Sequence, residues 1–166
     1  MNLYFLVPML AAIGLLQTTF VPYLSLLGAK PNLMLLVVVA WTLIAGSREG
    51  LWWAFIGGLW LDLLGGSPLG ASALALVAAA YLIGQGAGAI FRERLLIRVL
   101  SGLAAGLVYG SVLLGLLALG GRPADWPATL VRVIVPDALY NAMLLPVVYV
   151  LVLAASRRVG SRRWEV

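Results

Sequence analysis

Residues 31–64 read PNLMLLVVVAWTLIAGSREGLWWAFIGGLWLDLL, two apolar runs separated by a short charged stretch at 47–50. One continuous helix over this stretch would measure about 51 Å, whereas the hydrocarbon core of a bilayer is about 30 Å thick. It would also bury Arg48 and Glu49 near the middle of the membrane, where a charge is costly. The stretch therefore predicts two short membrane spans joined by a tight charged turn, with a re-entrant pair as the alternative.

The rest of the chain has the composition of a membrane protein. Of its 166 residues, 63% are hydrophobic and 10% are charged, whereas a soluble domain carries about 25% charged residues. The short loops leave no room for a folded domain outside the membrane. We predict a single all-α integral membrane domain of six transmembrane helices, with spans at 3–21, 32–46, 51–64, 72–91, 99–119 and 133–155 and a basic tail at 156–166.

Arginine and lysine fall unevenly on the two sides of this predicted topology. Eight lie in the second and fourth loops and the tail, and three lie in the first and fifth loops. The positive-inside rule then places both termini in the cytoplasm. The net charge of +5 is therefore interpreted as a topology signal, and as attraction of the tail to anionic membrane lipids, without nucleic-acid binding. The eight are Arg48, Arg92, Arg94, Arg98, Arg157, Arg158, Arg162 and Arg163; the three are Lys30, Arg122 and Arg132.

Few side chains could support catalysis. The sequence has no cysteine and no histidine, which removes thiol nucleophiles, the usual zinc ligands and the side chain that titrates near neutrality. Two carboxylates in one leaflet could serve acid-base or metal chemistry, but the only third acidic group in that leaflet is Asp125, which lies in a loop. We predict a protein that is not an enzyme and has no catalytic residue, metal or cofactor.

Asp62 lies near the outer end of the third span and is followed by a turn that contains Gly65, Pro68 and Gly70. One interpretation is a carboxylate that is hydrogen-bonded to backbone groups of this turn. The other is a buried anchor for the outer loop or a partner helix, with Lys30 or Arg132 as its counter-charge. The glycines suit tight or left-handed backbone, and the proline stiffens the turn.

The other outer-leaflet polar residues lie on the first and last spans. Asp137 follows Pro136 and is interpreted as capping the first turn of the sixth span. Asn141, four residues later on the same face, lies deep enough to need a protein partner. Together with Gln17 and Asp62, they predict a polar cluster in the outer half of the membrane. It either locks the helices together or forms a pocket or docking site.

The fifth span carries Gly102, Gly106 and Gly110 at intervals of four residues. Such a ridge of glycines lets another helix approach closely, because contact between helices in lipid depends on packing. The ridge could face a neighbouring helix of the same chain, or it could face the lipid or a partner protein.

Several motifs in order give the chain a resemblance to the rod shape-determining protein MreD family over nearly its full length. They are Gln17-Thr18-Thr19 at the end of the first span, Pro31-Asn32-Leu33-Met34-Leu35-Leu36 opening the second, Gly58-Leu59-Trp60-Leu61-Asp62-Leu63-Leu64 closing the third, the turn Ser67-Pro68-Leu69-Gly70, and Tyr140-Asn141-Ala142 with Pro146.

This resemblance implies a non-enzymatic component of the elongation (Rod) machinery, the elongasome, in the bacterial cytoplasmic (inner) membrane. Family members work directly with MreC, and through it with MreB, RodA and the class B penicillin-binding protein, to regulate cell shape and lateral peptidoglycan synthesis. The implied fold is similar to the substrate-binding components of ECF transporters. The mechanism that follows is a scaffold in which the glycine ridge or the 62–70 region receives MreC.

The alternative is a substrate-binding membrane component of a transporter for a small, vitamin-like molecule, held in the outer polar cluster. Components of that kind often dock their partner through Ala-x3-Ala on the first span. Here Ala11 and Ala12 are each followed four residues later by leucine, so this feature is missing.

Overall fold

The structure is a computed structural model that describes residues 3–20, 23, 29–86, 95–121 and 125–160. Within these ranges the chain is all-α, with no strand element, which confirms the all-α part of the predicted fold class. The helices are α1 (Leu3–Thr19), α2 (Leu33–Ala45), α3 (Ser47–Gly65), α4 (Ala71–Gly86), α5 (Leu95–Leu119), α6 (Trp126–Thr129), a π-helical segment (Leu130–Ile134) and α7 (Val135–Gly160).

The surface that the helix bundle exposes is largely apolar. The helices at 95–119 and 126–157 are long and apolar enough to cross a membrane, and only 17% and 28% of their most apolar stretches are buried. A long apolar helix in the core of a soluble protein would be mostly buried. Large apolar side chains are exposed on α1, α3, α4, α5 and α7, including Leu15, Phe55, Leu74, Leu100 and Met143. Such a surface is typical of a protein that lies in lipid.

Helix α2 lies at the centre and contacts α1, α3, α4, α5 and α7. Its side chains are aliphatic or aromatic over most of its length, because helices cover it on nearly all sides. The chain reverses into α3 at Gly46, whose φ of 96° is a left-handed conformation that glycine adopts without strain.

The charged stretch at 47–50, which we expected to form a loop, is instead the first turn of α3. Gly46 alone makes the reversal, and its amide donates to the Thr42 carbonyl. Glu49 then lies in the first turn of α3, where a carboxylate is favourable, and it accepts a hydrogen bond from the indole of Trp41 at 3.2 Å. That indole also stacks on Trp53, with ring centroids 4.3 Å apart.

The last helix begins earlier than the predicted residue 133. Asp125 caps it by accepting from the Ala128 amide at 3.4 Å, and the helix continues through the π-helical segment into α7. Pro136 explains the π-helical turn, since proline has no amide and its ring collides with the carbonyl four residues earlier. Widening the helix at that point relieves the collision.

Two other boundaries bear on the sequence predictions. Helix α4 is described as far as Gly86, and the predicted continuation to residue 91 lies outside the described residues. Helix α5 begins at Leu95, so Arg98 lies inside a helix and not in the loop to which we assigned it.

The predicted glycine ridge on α5 faces α7. A Cβ added at Gly102 or at Gly106 would lie 2.8 Å from the Cα of Ala142 or Ala138, and one at Gly110 would lie 2.7 Å from the Ile134 side chain. The ridge is therefore filled by this chain's own last helix. The expectation that it could receive a partner is wrong, and the internal-packing interpretation is correct.

Candidate functional site

We call the end of the bundle at which α2 begins the outer end, following the predicted topology. There the start of α2 is recessed below the end of its neighbour α3. The two helices run antiparallel, and Met34, next to the start of α2, lies against Gly57. Helix α3 continues eight residues beyond Gly57, about 12 Å at the α-helical rise. The segment that leads into α2 therefore lies below the end of α3, with Pro31 buried, Asn32 and Leu33 half-buried and Lys30 exposed.

Helix α7 supplies two hydrogen-bond partners for this segment. The Lys30 amide donates to Asp137 Oδ1 at 2.7 Å, and the Asn32 amide donates to Asn141 Oδ1 at 2.8 Å. Asn141 thus has the protein partner that its depth predicted, and it is buried. The predicted capping role of Asp137 is wrong, because the helix begins eleven residues before it, at Trp126. Its carboxylate instead holds the segment that leads into α2.

Helix α1 supplies the third side chain of this set. Gln17 Oε1 accepts from the Leu33 amide at 2.6 Å, and Gln17 Nε2 donates to the Pro31 carbonyl at 3.4 Å. The Asn32 side chain completes the set by accepting from the Leu35 amide at 3.0 Å, as an N-cap. Residues 30–33 are thus clamped between the first and last helices, and we call Gln17, Asp137 and Asn141 the α2 clamp.

Asp62 is buried and organises the start of α4. Its Oδ2 accepts from the Gly70 amide at 2.8 Å and the Ala73 amide at 3.4 Å, and its Oδ1 accepts from the Ser72 amide at 2.9 Å. These are backbone groups at and just after the Gly/Pro turn, as the first of the two interpretations expected. Lys30 and Arg132 are not its hydrogen-bond partners.

The turn at 66–70 is held in a defined shape. Gly66 and Gly70 have φ values of 67° and 93°, which favour glycine at both positions. The Pro68 carbonyl accepts from the Ala71 amide at 3.1 Å. Leu69 then projects from this turn with 74% of its surface exposed.

Tyr109 of α5 links the two sets of polar side chains, namely the α2 clamp and the groups around Asp62. Its hydroxyl lies within hydrogen-bonding reach of the side chains of Ser72 and Asn32, one beside Asp62 and the other in the clamped segment. Sequence reasoning missed Tyr109, because a single tyrosine inside an apolar helix carries no positional signal. Asn32 was quoted only as part of a motif, although an asparagine just before an apolar run is a recognisable N-cap signal.

An open cavity of about 450 Å³ lies above the recessed end of α2. Its charged groups are Lys30 and Asp137, and Gly65 forms part of its wall beside the turn at 66–70. The cavity and the turn therefore make one continuous outer surface, which we call the outer recess. The cavity is lined by Gln17, Thr18, Lys30, Pro31, Asn32, Leu64, Gly65 and Asp137.

The structure thus separates the predicted site residues into three groups. Gln17, Asp137 and Asn141 form the α2 clamp, while Asp62 with Gly65, Pro68 and Gly70 forms the α3–α4 corner. The ridge of Gly102, Gly106 and Gly110 packs against α7 away from the cavity. In the first two groups, the polar side chains use their oxygen atoms to hold backbone amides.

Comparison with known proteins gives one match. The family model of rod shape-determining protein MreD matches residues 1–158, nearly the whole chain. No curated protein and no solved structure matches it.

Proposed function

This chain belongs to the MreD family, which implies a role in rod shape determination, and we propose that it acts as a non-enzymatic membrane scaffold that packs with MreC. The hydrogen bonds of the site carry this proposal. Asp62, Gln17, Asp137 and Asn141 all accept from backbone amides, so the polar groups fix the shape of the outer surface. A surface of fixed shape suits docking, because little ordering is needed on binding.

The docking surface that we propose for MreC is the outer recess. The glycine ridge is not available, since α7 covers it. The turn at 66–70 offers Leu69 as an exposed apolar anchor on a rigid support, and the adjoining cavity offers one positive and one negative group. An apolar centre with a polar rim is the usual composition of a protein–protein interface. Through MreC the scaffold acts on MreB, RodA and the class B penicillin-binding protein.

The membrane topology is part of the same proposal. Six spans, formed by α1, α2, α3, α4, α5 and the continuous helix from α6 to α7, place both ends of the chain in the cytoplasm of a bacterium. The outer recess then faces away from the cytoplasm, on the side where wall synthesis takes place. The arginine and lysine bias supports this orientation. We propose a fold similar to that of the ECF substrate-binding components on the same six-helix basis.

Replacing Leu69 with aspartate tests the docking surface. We expect recovery of co-purified MreC to fall about tenfold, the effect of losing roughly 1.4 kcal/mol of binding free energy. The matched control is Leu119→Asp, because Leu119 is 87% exposed and lies at the end of α5 outside the recess. The control should retain MreC. Equal recovery with the two variants would exclude the turn as the docking surface.

The cavity also favours a second candidate, a ligand-binding component of a vitamin transporter. Its volume and its opposite charges suit a small polar molecule. A thermal-shift screen against vitamins tests this function with Lys30→Gln as the control, because Lys30 lines the cavity. A saturable shift that the variant loses would support transport, and the absence of any shift would leave the scaffold as the function.

A further inference from the structure

Tyr109 lies on the face of α5 that packs against α2 and α4. Helix α5 contacts both of these helices, and Ala105, one turn before Tyr109 on the same face, is fully buried. The Tyr109 hydroxyl reaches the side chain of Ser72 in the first turn of α4 and that of Asn32 at the start of α2. Three helices therefore meet at one hydroxyl group.

Ser72 connects this hydroxyl to the α3–α4 corner. Its side chain is buried and faces Tyr109, while its amide donates to Asp62 Oδ1 at 2.9 Å. The other oxygen of the same carboxylate accepts from the Gly70 amide at 2.8 Å, and Gly70 closes the turn at 66–70. Only one carboxylate and one serine therefore separate this turn from Tyr109.

Asn32 connects the same hydroxyl to the α2 clamp. Its amide donates to Asn141 Oδ1 at 2.8 Å, and its side-chain oxygen accepts from the Leu35 amide at 3.0 Å. This leaves the NH₂ group to face Tyr109, so the hydroxyl can accept from Asn32 and donate to Ser72. A hydroxyl used in both directions joins its two partners in one chain of hydrogen bonds.

We propose that the Tyr109 hydroxyl couples the α3–α4 corner to the α2 clamp, so that the turn at 66–70 and the cavity of the outer recess are stabilised or loosened together. Inside a protein, hydrogen bonds in a chain strengthen one another, and a buried polar group that loses its partner is costly. Loosening one end of the chain therefore weakens the hold on the other end. Such coupling is reciprocal by thermodynamic necessity, so a partner bound at the turn also stabilises the cavity.

Peptide-resolved hydrogen exchange of the full chain in detergent micelles tests this coupling. Asp62→Asn weakens the corner, and we expect it to raise exchange at the amides of Asn32 and Leu33, which Asp62 does not hold. The expected increase is about threefold, within the range for one net hydrogen bond. In a Tyr109→Phe background the same increase should disappear, because phenylalanine keeps the ring and removes the hydroxyl.

The reverse perturbation provides a second arm of the test. Gln17→Ala removes one side chain of the α2 clamp, and it should raise exchange at the Ser72 and Ala73 amides by a similar factor. This increase should also require the Tyr109 hydroxyl. If Asp62→Asn does not fold, this arm decides the question, and if Tyr109→Phe does not fold, Ser72→Ala removes the same link from its other side.

The matched control is Tyr81→Phe, the same chemical change at an exposed position of α4. It should leave both increases intact. Amides at 102–106 of α5 report unfolding of the whole chain, and their exchange should not change in any variant. No increase at residues 32–33 in the wild-type background, or an increase that persists without the Tyr109 hydroxyl, would overturn the proposal. The measurement does not involve MreC, so it can fail while the proposed docking function stands.

Discussion

Asp62→Ala is expected to destabilise the protein more than any other single replacement of a carboxylate. The Asp62 carboxylate is 2% exposed and accepts from three backbone amides, at Gly70, Ser72 and Ala73. Each buried donor left without a partner costs about 1–3 kcal/mol. Water reaches the Gly70 end of this corner more easily than the Ser72 end, so we expect a total loss of roughly 3 kcal/mol.

Thermal unfolding in detergent and limited proteolysis of the turn at 66–70 measure this effect. Asp62→Asn should give a smaller loss of stability. Its side-chain oxygen can still accept a hydrogen bond from a backbone amide, whereas its NH₂ group would face a backbone amide that is also a donor. The matched control is Asp125→Ala. Asp125 also caps a helix, but it is exposed and its hydrogen bond to Ala128 measures 3.4 Å, so the loss should be at most about 1 kcal/mol. Similar losses at the two sites would contradict the buried-anchor role of Asp62.

Gly106→Leu has the second-largest expected effect. A Cβ at this position would lie 2.8 Å from the Cα of Ala138 and 2.9 Å from its Cβ. Backbone atoms of a packed helix cannot move aside cheaply, so the side chain must push α5 and α7 apart. Overpacking of this kind costs about 1–3 kcal/mol for modest additions, and leucine adds several atoms. We expect a loss near the upper end of that range.

The control for the ridge lies on the same helix. Gly115 has ordinary contact distances, the nearest being 3.5 Å to the Trp126 ring. Gly115→Ala should therefore be neutral or stabilising, because alanine favours helix by about 1 kcal/mol, while Gly106→Ala should destabilise. Thermal unfolding of the two alanine variants compares one chemical change in two environments. A Gly106→Leu protein of normal stability that fails to bind MreC would contradict the internal role of the ridge.

The class of the fold and part of the site could be predicted from the sequence, because they depend on local chemistry. Composition is enough to indicate apolar helices. A carboxylate followed by a glycine- and proline-rich turn predicts hydrogen bonds to that turn, and Asp62 makes them. The position of Asn141 deep within the last predicted span was enough to predict that it needs a protein partner.

The remaining features depend on how the helices align, which no local pattern contains. Pro136 suggested a helix start, whereas the chain passes it as a π-helical turn and leaves Asp137 in mid-helix. The spacing of Gly102, Gly106 and Gly110 predicts a close contact with a helix, but it does not indicate which helix. Tyr109 joins Ser72 and Asn32 only because α5 crosses beside both. These are properties of the assembled bundle.

The recessed start of α2 has a consequence for how the protein is made. With 13 residues, α2 is about 20 Å long, too short to cross the bilayer as an independent segment. The ribosome completes α7 long after α2, yet Asp137 and Asn141 of α7 hold the amides of residues 30 and 32. The N-terminal half therefore cannot complete these hydrogen bonds until the last helix has been synthesised.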